Sequence, residues 1–466
     1  MRILIAGGSI NGLTLAQLLS QSNMVDEVIV VERDEYPDGI AGRKGIYHAD
    51  HTHALSAGGA KLYEEIFPDL FDTVRANGGK LVAWGTWDTR VTFKTGELTQ
   101  DEYIGVSTWS MSRNLFESAI RQQVQKNPKI TIVNKVEVVG LITNGIPSMK
   151  EVLGLIVKPR YGAELPSFFT EVHSDGTYRV LANHVVLATG AGDRWTKWFD
   201  AARIPIPPLE EVDGKLSYFS ADFEDVPMSS LLLATGDKDD RAGIIAAIEG
   251  GVFRATIQVH GYAGDYPYTQ ADFVRLFATC SEEGAAYLAK GTMVSDHVNI
   301  FANCANRRYK LWEADNWPMN LTMLGDIWLR MSPQYGQGLT IGVMQVKMLA
   351  ESLLSGELSA FYNQKLEDLV SFSWGLATGG DQSYLRWAND PSAPPLNLAG
   401  RFGAYYFSVL LDLAGANVNV ASAFFKVSNY VARPTALMHP KILLAAFAEI
   451  GKRLLRRLAP SQTRPG

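Results

Sequence analysis

Four apolar residues, Ile3-Leu-Ile-Ala6, give way to Gly7-Gly-Ser-Ile-Asn-Gly12, after which Leu13, Ala16, Leu18 and Leu19 recur at helical spacing. A second apolar run over 28–31 stops at Glu32-Arg33. The pattern predicts strand, helix and strand, with a glycine turn between the first two. Such a unit sets the unpaired N–H groups of a helix start beside the strand ends. Val185-Val-Leu-Ala-Thr-Gly190 is a further buried-type strand ending in a glycine turn, which returns the chain to the same sheet. Far downstream, an apolar strand around Leu321, Met323 and Leu324 meets Gly325-Asp326, and a loop with Pro333, Gly336 and Gly338 leads into a helical run over 339–354.

Between these segments, residues 34–59 read as a loop carrying Arg43, His48, His51 and His53. Residues 115–124 are helical, with Phe116, Ala119, Ile120 and Val124 on one face, and Arg113 stands at the start of that helix. A cation there opposes the helix dipole, so a phosphate or ribose contact would justify it. Alternation predicts strands within 79–98 and over 130–133, 136–142, 152–158 and 177–181. Beyond Ile204-Pro-Ile-Pro-Pro208, strands over 216–223, 242–249 and 252–260 are expected, the last two joined as a hairpin at Glu249-Gly-Gly251. Residues 272–288 read as one helix, 306–312 as a connection, and the chain after 354 as largely helical. In 440–458, Leu443, Phe447, Ile450, Leu454 and Leu458 fall on one side and Lys452, Arg453, Arg456 and Arg457 on the other. Such a helix either docks on its own protein or lies on an anionic membrane as a peripheral contact. Residues 460–466 are expected to be disordered.

At 466 residues, 47% of them apolar, the chain can bury the cores of two or three domains. A net charge of −6 argues against a nucleic-acid partner, which would need a basic face. Cys280 and Cys304 are the only cysteines, and neither their spacing nor the three loop histidines complete a zinc set, so no metal is expected. No run of 18 apolar residues occurs, and a cytoplasmic location is expected.

Candidate chemistry then concentrates at the glycine turns. An acid 20 residues beyond Gly12, on a strand following a glycine turn and helix, is the arrangement that seats a pyrophosphate on the helix start and a ribose on Glu32. Ser9 stands where the second fingerprint glycine is usual. Arg43 reaches either a cofactor phosphate or solvent. Asp326 at a strand end suits a sugar hydroxyl, while glycines at the later helix start admit a flat ring close to the backbone. The implied ligand is a flavin dinucleotide.

Together, Gly7-Gly-Ser-Ile-Asn-Gly12 with Glu32, Arg113 before a helix, and Gly325-Asp326 with Pro333 and Gly336-Gln-Gly338 resemble the class A flavoprotein monooxygenases, the para-hydroxybenzoate hydroxylase fold. His51-Thr-His53-Ala-Leu, Pro333-Gln-Tyr-Gly-Gln-Gly338, and Glu249-Gly-Gly followed by Gly261-Tyr-Ala-Gly-Asp265 are most similar to polyether-type flavin epoxidases and squalene-epoxidase-like enzymes. The resemblance implies an α/β chain. Residues 1–75, 103–203 and 303–360 would form a Rossmann-like FAD-binding domain, 76–102 and 204–302 a discontinuous antiparallel β-sheet substrate domain, and 361–466 a helical C-terminal region. It also implies cofactor contacts by Gly7, Ser9, Gly12, Glu32, Arg33, Arg43, Arg113, Gly190, Asp326, Gly336, Gly338 and Leu339. Glu32 would hold the adenosine ribose, Arg113 the phosphate or ribitol region, and Asp326 the ribityl or pyrophosphate side. Residues 336–339 would meet the isoalloxazine carbonyl edge, with Pro333 facing the ring. Thr189-Gly190 replaces the Asp-Gly pair of many class A enzymes, which leaves the choice of reductant open. No second dinucleotide fingerprint occurs, so NAD(P)H would bind transiently.

By that resemblance, NAD(P)H reduces FAD, O₂ adds at the flavin C4a position, and one oxygen passes to a small apolar organic substrate, a natural-product intermediate. Hydroxylating a phenol benefits from a base whereas epoxidising an alkene needs none. No strong base is evident in the sequence, so alkene epoxidation is the expected reaction. Pro333 and Gly338 would position the flavin, and Trp84, Trp87, Trp109 and Tyr218 would wall the pocket, although such aromatics equally suit a core. The alternatives are aromatic or indole hydroxylation, prenyl reduction, halogenation, and a non-catalytic flavin-binding role in biosynthesis. Halogenation would require a lysine beside a tunnel and a Trp-x-Trp-x-Ile-Pro signature, which Trp84-Gly-Thr-Trp87 does not match.

Overall fold

The computed structural model describes residues 1–466 except 47, 94–95, 99, 147–149, 174, 236–239, 303 and 459–466. The expected disorder of 460–466 therefore falls outside the described residues. The chain builds an α/β architecture on a five-stranded parallel sheet with the order Leu321–Met323, His184–Leu187, Arg2–Ala6, Glu27–Val31, Ile130–Val133. Helices cover both faces of a parallel sheet, which is why its strands are nearly continuous apolar runs and Ile3, Leu4, Ile5, Val185 and Val186 are wholly buried. Helix Ile10–Ser20 packs beside helix Gly338–Leu354. A Cβ on Gly12 would stand 2.0 Å from the Gly7 carbonyl oxygen, and one on Gly342 would stand 2.3 Å from Asn11 Oδ1. Glycine at both positions lets the helices and the first turn close to this separation.

A second sheet of eight strands takes Thr89–Phe93 and Gly96–Glu97 from early in the chain and joins them to Leu231–Thr235, Arg241–Ala247, Phe253–His260 and Leu216–Glu224. Phe219, Phe223, Ile245 and Ile257 on this sheet pack against Phe273 and Phe277 in a core of their own. At the hairpin, Gly250 and Gly251 take φ of +76° and +79°, a conformation that costs glycine little. Glu249 then accepts hydrogen bonds from the Ser112 N–H at 2.9 Å and from its hydroxyl, tying this sheet to the start of helix Arg113–Val124.

Several expectations change on folding. Residues 306–309 form a strand, Asn306–Tyr309, paired with Leu209–Val212 and Leu329–Arg330. Its Asn-Arg-Arg-Tyr sequence lacks an apolar alternation. The stabilising partners are instead Glu210 and Glu211, directly opposite Arg308 and Arg307 and ion-paired with them at 2.8 Å. The run 272–288 divides into Gln270–Ala278 and Glu282–Leu288, because the Ser281 side chain accepts from the Gly284 N–H and starts a new helix. Strand Lys80–Ala83 pairs with Ser107–Ser110, across the expected boundary at 102/103.

The C-terminal region comprises Ser359–Trp387, Leu398–Ala414, Val418–Ser428 and Pro440–Leu458. The last helix docks through Ile442 and Ala446 on Val409, Leu410 and Val420, and Arg453 pairs with Asp412 at 2.6 Å. Phe447 and Leu454, on the side expected to be buried, are each 53% exposed. The small Ala446 lets helices approach closely and so draws the contact seam round the helix. Among the described residues no single helix is long and apolar enough to cross a membrane, although the bent pair Gly400–Ala414 and Val418–Ser428 passes that test jointly.

Candidate active site

The carboxyl ends of four parallel strands open on one cleft, lined by Gly7, Ser9, Glu32, Arg113, Gly190 and Asp326 among others. Two helices start there, Ile10–Ser20 and Gly338–Leu354, and their N-cap residues Ser9 and Gln337 make no side-chain capping bond. Helix starts without side-chain caps present backbone N–H groups and the positive end of the dipole to an electron-rich ligand.

Ser9 accounts for its own presence in a glycine fingerprint. With φ at −92° it needs no left-handed backbone. Its hydroxyl turns to donate to Glu117 at 2.8 Å and to accept from Arg113 Nη2 at 2.8 Å. Glu117 also accepts from Arg43 Nε at 2.7 Å and Arg113 Nη1 at 3.0 Å, and Arg43 pairs with Glu32 at 3.1 Å. All four charged residues are buried. Burial pushes the Glu117 carboxyl up, but Arg113, Arg43 and the hydrogen bonds from Arg43 and Ser9 outweigh it and leave the group below its ordinary value. Arg43 is thus held in the cleft wall by three carboxylates, the third being Asp34 at 3.8 Å, with its guanidinium 5.2 Å from the centre of the Tyr36 ring. Glu32 fixes the glycine turn by accepting from the Gly8 N–H at 2.8 Å. Arg33, also on the cleft, pairs with Asp34 at 3.3 Å.

On the opposite side, Gly325 takes φ of +77°, and a Cβ there would stand 2.4 Å from Asn11 Nδ2. Asp326 follows, open to the cleft. The surrounding protein raises its carboxyl above the usual range, with Arg113 and Arg330 opposing. Gly336, with φ of +61°, lies so near Ala54 that a Cβ would stand 2.5 Å from the alanine methyl, whereas Gly338 faces open space. Pro333 and Leu339 complete this wall, and Gly12 lies behind it in the helix packing rather than on the cleft.

The loop histidines also line the cleft. His51 Nδ1 lies 2.8 Å from Ser220 Oγ, which lies 2.7 Å from Thr256 Oγ1, fastening the loop to the second sheet. His53 Nδ1 lies 2.9 Å from the His51 carbonyl and His53 Nε2 lies 3.2 Å from His48 Nδ1. A carbonyl only accepts, so neutral His53 carries its proton on Nδ1 and accepts from His48 at Nε2. Burial pushes His48 and His51 down to about 4, with Arg113 adding to the shift for His48 and Arg254 for His51. The unfolded chain therefore takes up protons on these rings near their ordinary value while the folded chain resists. Their contribution to stability is present above about pH 6.5 and is lost as the pH falls through about 4. Urea denaturation at successively lower pH should show this fall, with a shallower slope in His51→Asn. Equal slopes would contradict the assignment. Among the described residues, no group of three or more His, Cys, Asp or Glu side chains is arranged to hold a metal ion.

Of the four aromatic residues expected as pocket walls, Tyr218 reaches the cleft. Trp84 packs on Phe425 at 4.8 Å in a separate core, Trp109 stacks on Phe71 at 4.8 Å, and Trp87 is 72% exposed beside a different surface depression. Helices distant in sequence supply the burial partners of Trp84 and Trp109, and alternation alone cannot reveal them. Sequence reasoning passed over Asn11, Glu117 and the histidines as site residues. Only Glu117 left a local signal, its four-residue spacing from Arg113.

No family model matches the chain. Protein Rv3254 from Mycobacterium tuberculosis (strain ATCC 25618 / H37Rv) is 24% identical over 445 residues, covering 91% of this chain and 88% of the relative. Among solved structures, a flavoprotein/dehydrogenase from Cytophaga hutchinsonii superimposes with a TM-score of 0.64 at 12% identity, over 97% of this chain and 100% of that one. The p-nitrophenol 4-monooxygenase PnpA from Pseudomonas putida DLL-E4 gives 0.58 at 15% identity over 92% and 98%. The fold is that of the class A flavoprotein monooxygenases. The myxobacterial chondrochloren halogenase CndH is similar to the same degree, with a TM-score of 0.59 at 15% identity over 92% and 96%. The class A fold thus accommodates more than one reaction, and the side chains around the cleft must choose between them.

Proposed function

We propose that the chain is a flavin-dependent monooxygenase that holds FAD in the cleft and transfers one oxygen atom from O₂ to an apolar natural-product substrate, by alkene epoxidation. The observation that carries this reading is the convergence of two helix starts without side-chain caps with Asp326 and the Arg43–Glu117–Arg113 network at one sheet edge. These residues fit a dinucleotide. The start of helix Ile10–Ser20 and Arg113 suit the pyrophosphate, Glu32 the adenosine ribose, and Asp326 the ribityl chain. The space beside Gly338 suits the carbonyl edge of a flat ring. When bound, the flavin supplies the redox chemistry, with NAD(P)H as the electron source. The N–H groups at the start of helix Gly338–Leu354 would stabilise negative charge at that ring edge. Tyr218, Phe301, Met331 and Pro333 on the cleft wall would exclude water from the reacting carbon. None of the described residues lining the cleft is a lysine, which favours monooxygenation over halogenation.

One observation favours hydroxylation of a phenol or indole as a second reading, namely the neutral imidazoles of His48 and His51 on the cleft wall. His51→Asn separates the two. The asparagine amide can still meet Ser220, so turnover of an alkene should persist, whereas turnover of a phenol that uses this base should fall by about 10²-fold or more. The whole reading is tested by purifying the protein and recording its flavin spectrum. NADH or NADPH oxidation is then followed with alkenes, indoles and phenols, using mass spectrometry to detect the gain of one oxygen. A colourless protein that takes up no FAD would overturn it.

A further inference from the structure

Helix Ser359–Trp387 belongs to the C-terminal region, yet one turn of it grips the cleft loop. The Ser332 backbone N–H donates to Asn306 Oδ1 at 2.7 Å, and Asn306 Nδ2 donates to Asp381 Oδ2 at 2.6 Å. A backbone N–H can meet only the amide oxygen of Asn306, so the orientation of this amide is fixed and the chain runs loop, strand, helix. Asn306 and Asp381 are both wholly buried, and Ser332 lies on the cleft wall immediately before Pro333. Glycines let the neighbouring elements close on this turn. A Cβ on Gly380 would stand 2.0 Å from Tyr335 Oη, and one on Gly214 would stand 2.4 Å from the Asp381 carboxyl carbon. Among the described residues, Ser332 Oγ and Tyr218 Oη are buried without hydrogen-bond partners, so the layer behind the loop has spare polar capacity.

We propose that Asp381 is a positioning residue which, by holding Asn306, sets the Ser332 turn and so places Pro333 and the start of helix Gly338–Leu354 against the flavin. This rests on the flavin reading of the cleft. Asp381 acts through Asn306 and does not itself line the cleft. Its surroundings favour the neutral acid. Burial pushes the carboxyl up to about 7, the Gly214 N–H opposes this, Asp213 adds to the rise, and the hydrogen bond from Asn306 opposes it again. Among the other groups facing this layer, Arg330 carries a positive charge, and its Nε donates to the Ala305 carbonyl at 3.3 Å. Tyr218, Tyr335 and Cys304 are raised by burial and stay protonated, His260 is lowered by burial and stays neutral, and Arg330 bears on Cys304. Because the folded carboxyl is raised from an ordinary value of 3.8, the contribution of its neutral form to the docked loop is fully present below that value, declines as the pH rises, and is lost once the pH passes about 7.

The test titrates purified full-length wild type, Asp381→Asn and Asp381→Ala with FAD from about pH 5 to about pH 8. In the wild type, flavin affinity should fall as the pH rises towards about 7 and then level off. Asp381→Asn, an uncharged isostere, should keep the acidic-side affinity throughout, and Asp381→Ala should bind roughly tenfold more weakly at every pH. A pH profile in Asp381→Asn that follows the wild type, or unaltered affinity in Asp381→Ala, would overturn the proposal. Hydrogen exchange of the peptide covering 329–340, measured at one pH without flavin, reports the loop independently. Exchange should quicken in Asp381→Ala and be restored in Asp381→Asn, and unchanged exchange in Asp381→Ala again overturns the proposal. Wild type that binds no FAD at any pH would sink the flavin reading alone, because the exchange measurement still judges the hold of Asp381 on the loop.

Discussion

Glu117→Ala is expected to lower the free energy of unfolding by about 3–5 kcal/mol, the cost of breaking a buried ion pair by removing one partner. The magnitude follows from what remains. Arg43 and Arg113 are both buried, and both give hydrogen bonds to Glu117. Without it, Arg43 keeps Glu32 at 3.1 Å and Asp34 at 3.8 Å, but among the described residues Arg113 keeps only the neutral Ser9 hydroxyl at 2.8 Å as a hydrogen-bond partner. Two like charges would then face each other across a cavity, and the side chain at the start of helix Ile10–Ser20 would lose its acceptor. Urea denaturation measures the effect as a lowered midpoint with an unchanged slope. Glu117→Gln, which keeps an acceptor but removes the charge, should fall between the wild type and the alanine variant. A loss under about 1 kcal/mol would mean that water reaches these guanidinium groups and that the network is no more than a surface cluster.

Asp326→Ala should act on the ligand and spare the fold. No hydrogen bond or ion pair joins Asp326 to another described residue and its side chain is open to the cleft, so its removal costs the unliganded protein little beyond its attraction to Arg113 and Arg330. A ligand sugar hydroxyl that donates to this carboxylate would lose a charge-assisted hydrogen bond, weakening FAD binding by roughly 10–100-fold. Purified protein should then be colourless or nearly so, with an unfolding midpoint equal to that of the flavin-free wild type. A yellow, fully loaded variant would show that Asp326 does not anchor the flavin. Both outcomes are read from one purification, by absorbance and by denaturation.

The fold class was legible in the sequence because a parallel strand buried on both faces must be apolar throughout, and a helix that starts against it needs glycine where the backbone turns. Ile3-Leu-Ile-Ala6, Gly7, Gly12 and Glu32 satisfy those local demands within one short stretch, and Gly325-Asp326 and Gly336-Gln-Gly338 repeat them far downstream. These requirements concern φ, ψ and side-chain size at single positions, so they survive without knowledge of the packing. The same locality explains why the helix break at Ser281 and the strand at 306–309 were not legible in the sequence. There a cap and a pair of cross-strand charges decided the outcome, and neither follows from apolar periodicity.

The convergence of side chains was decided by tertiary structure. Ser9 meets Glu117 across 108 residues of chain, His51 meets Ser220 across 169, and Asn306 meets Asp381 across 75. Whether an aromatic residue on an alternating strand becomes core or cleft wall depends on which distant helix covers its face. Phe425 takes Trp84 and Phe71 takes Trp109, leaving Tyr218 to the cleft. By itself the sequence determined where the backbone turns and which strand ends carry acids. Packing alone decided which charges share a carboxylate, which imidazoles stay neutral and which side chain sets the cleft loop, because burial and separation fix those energies and neither is a local property of the chain.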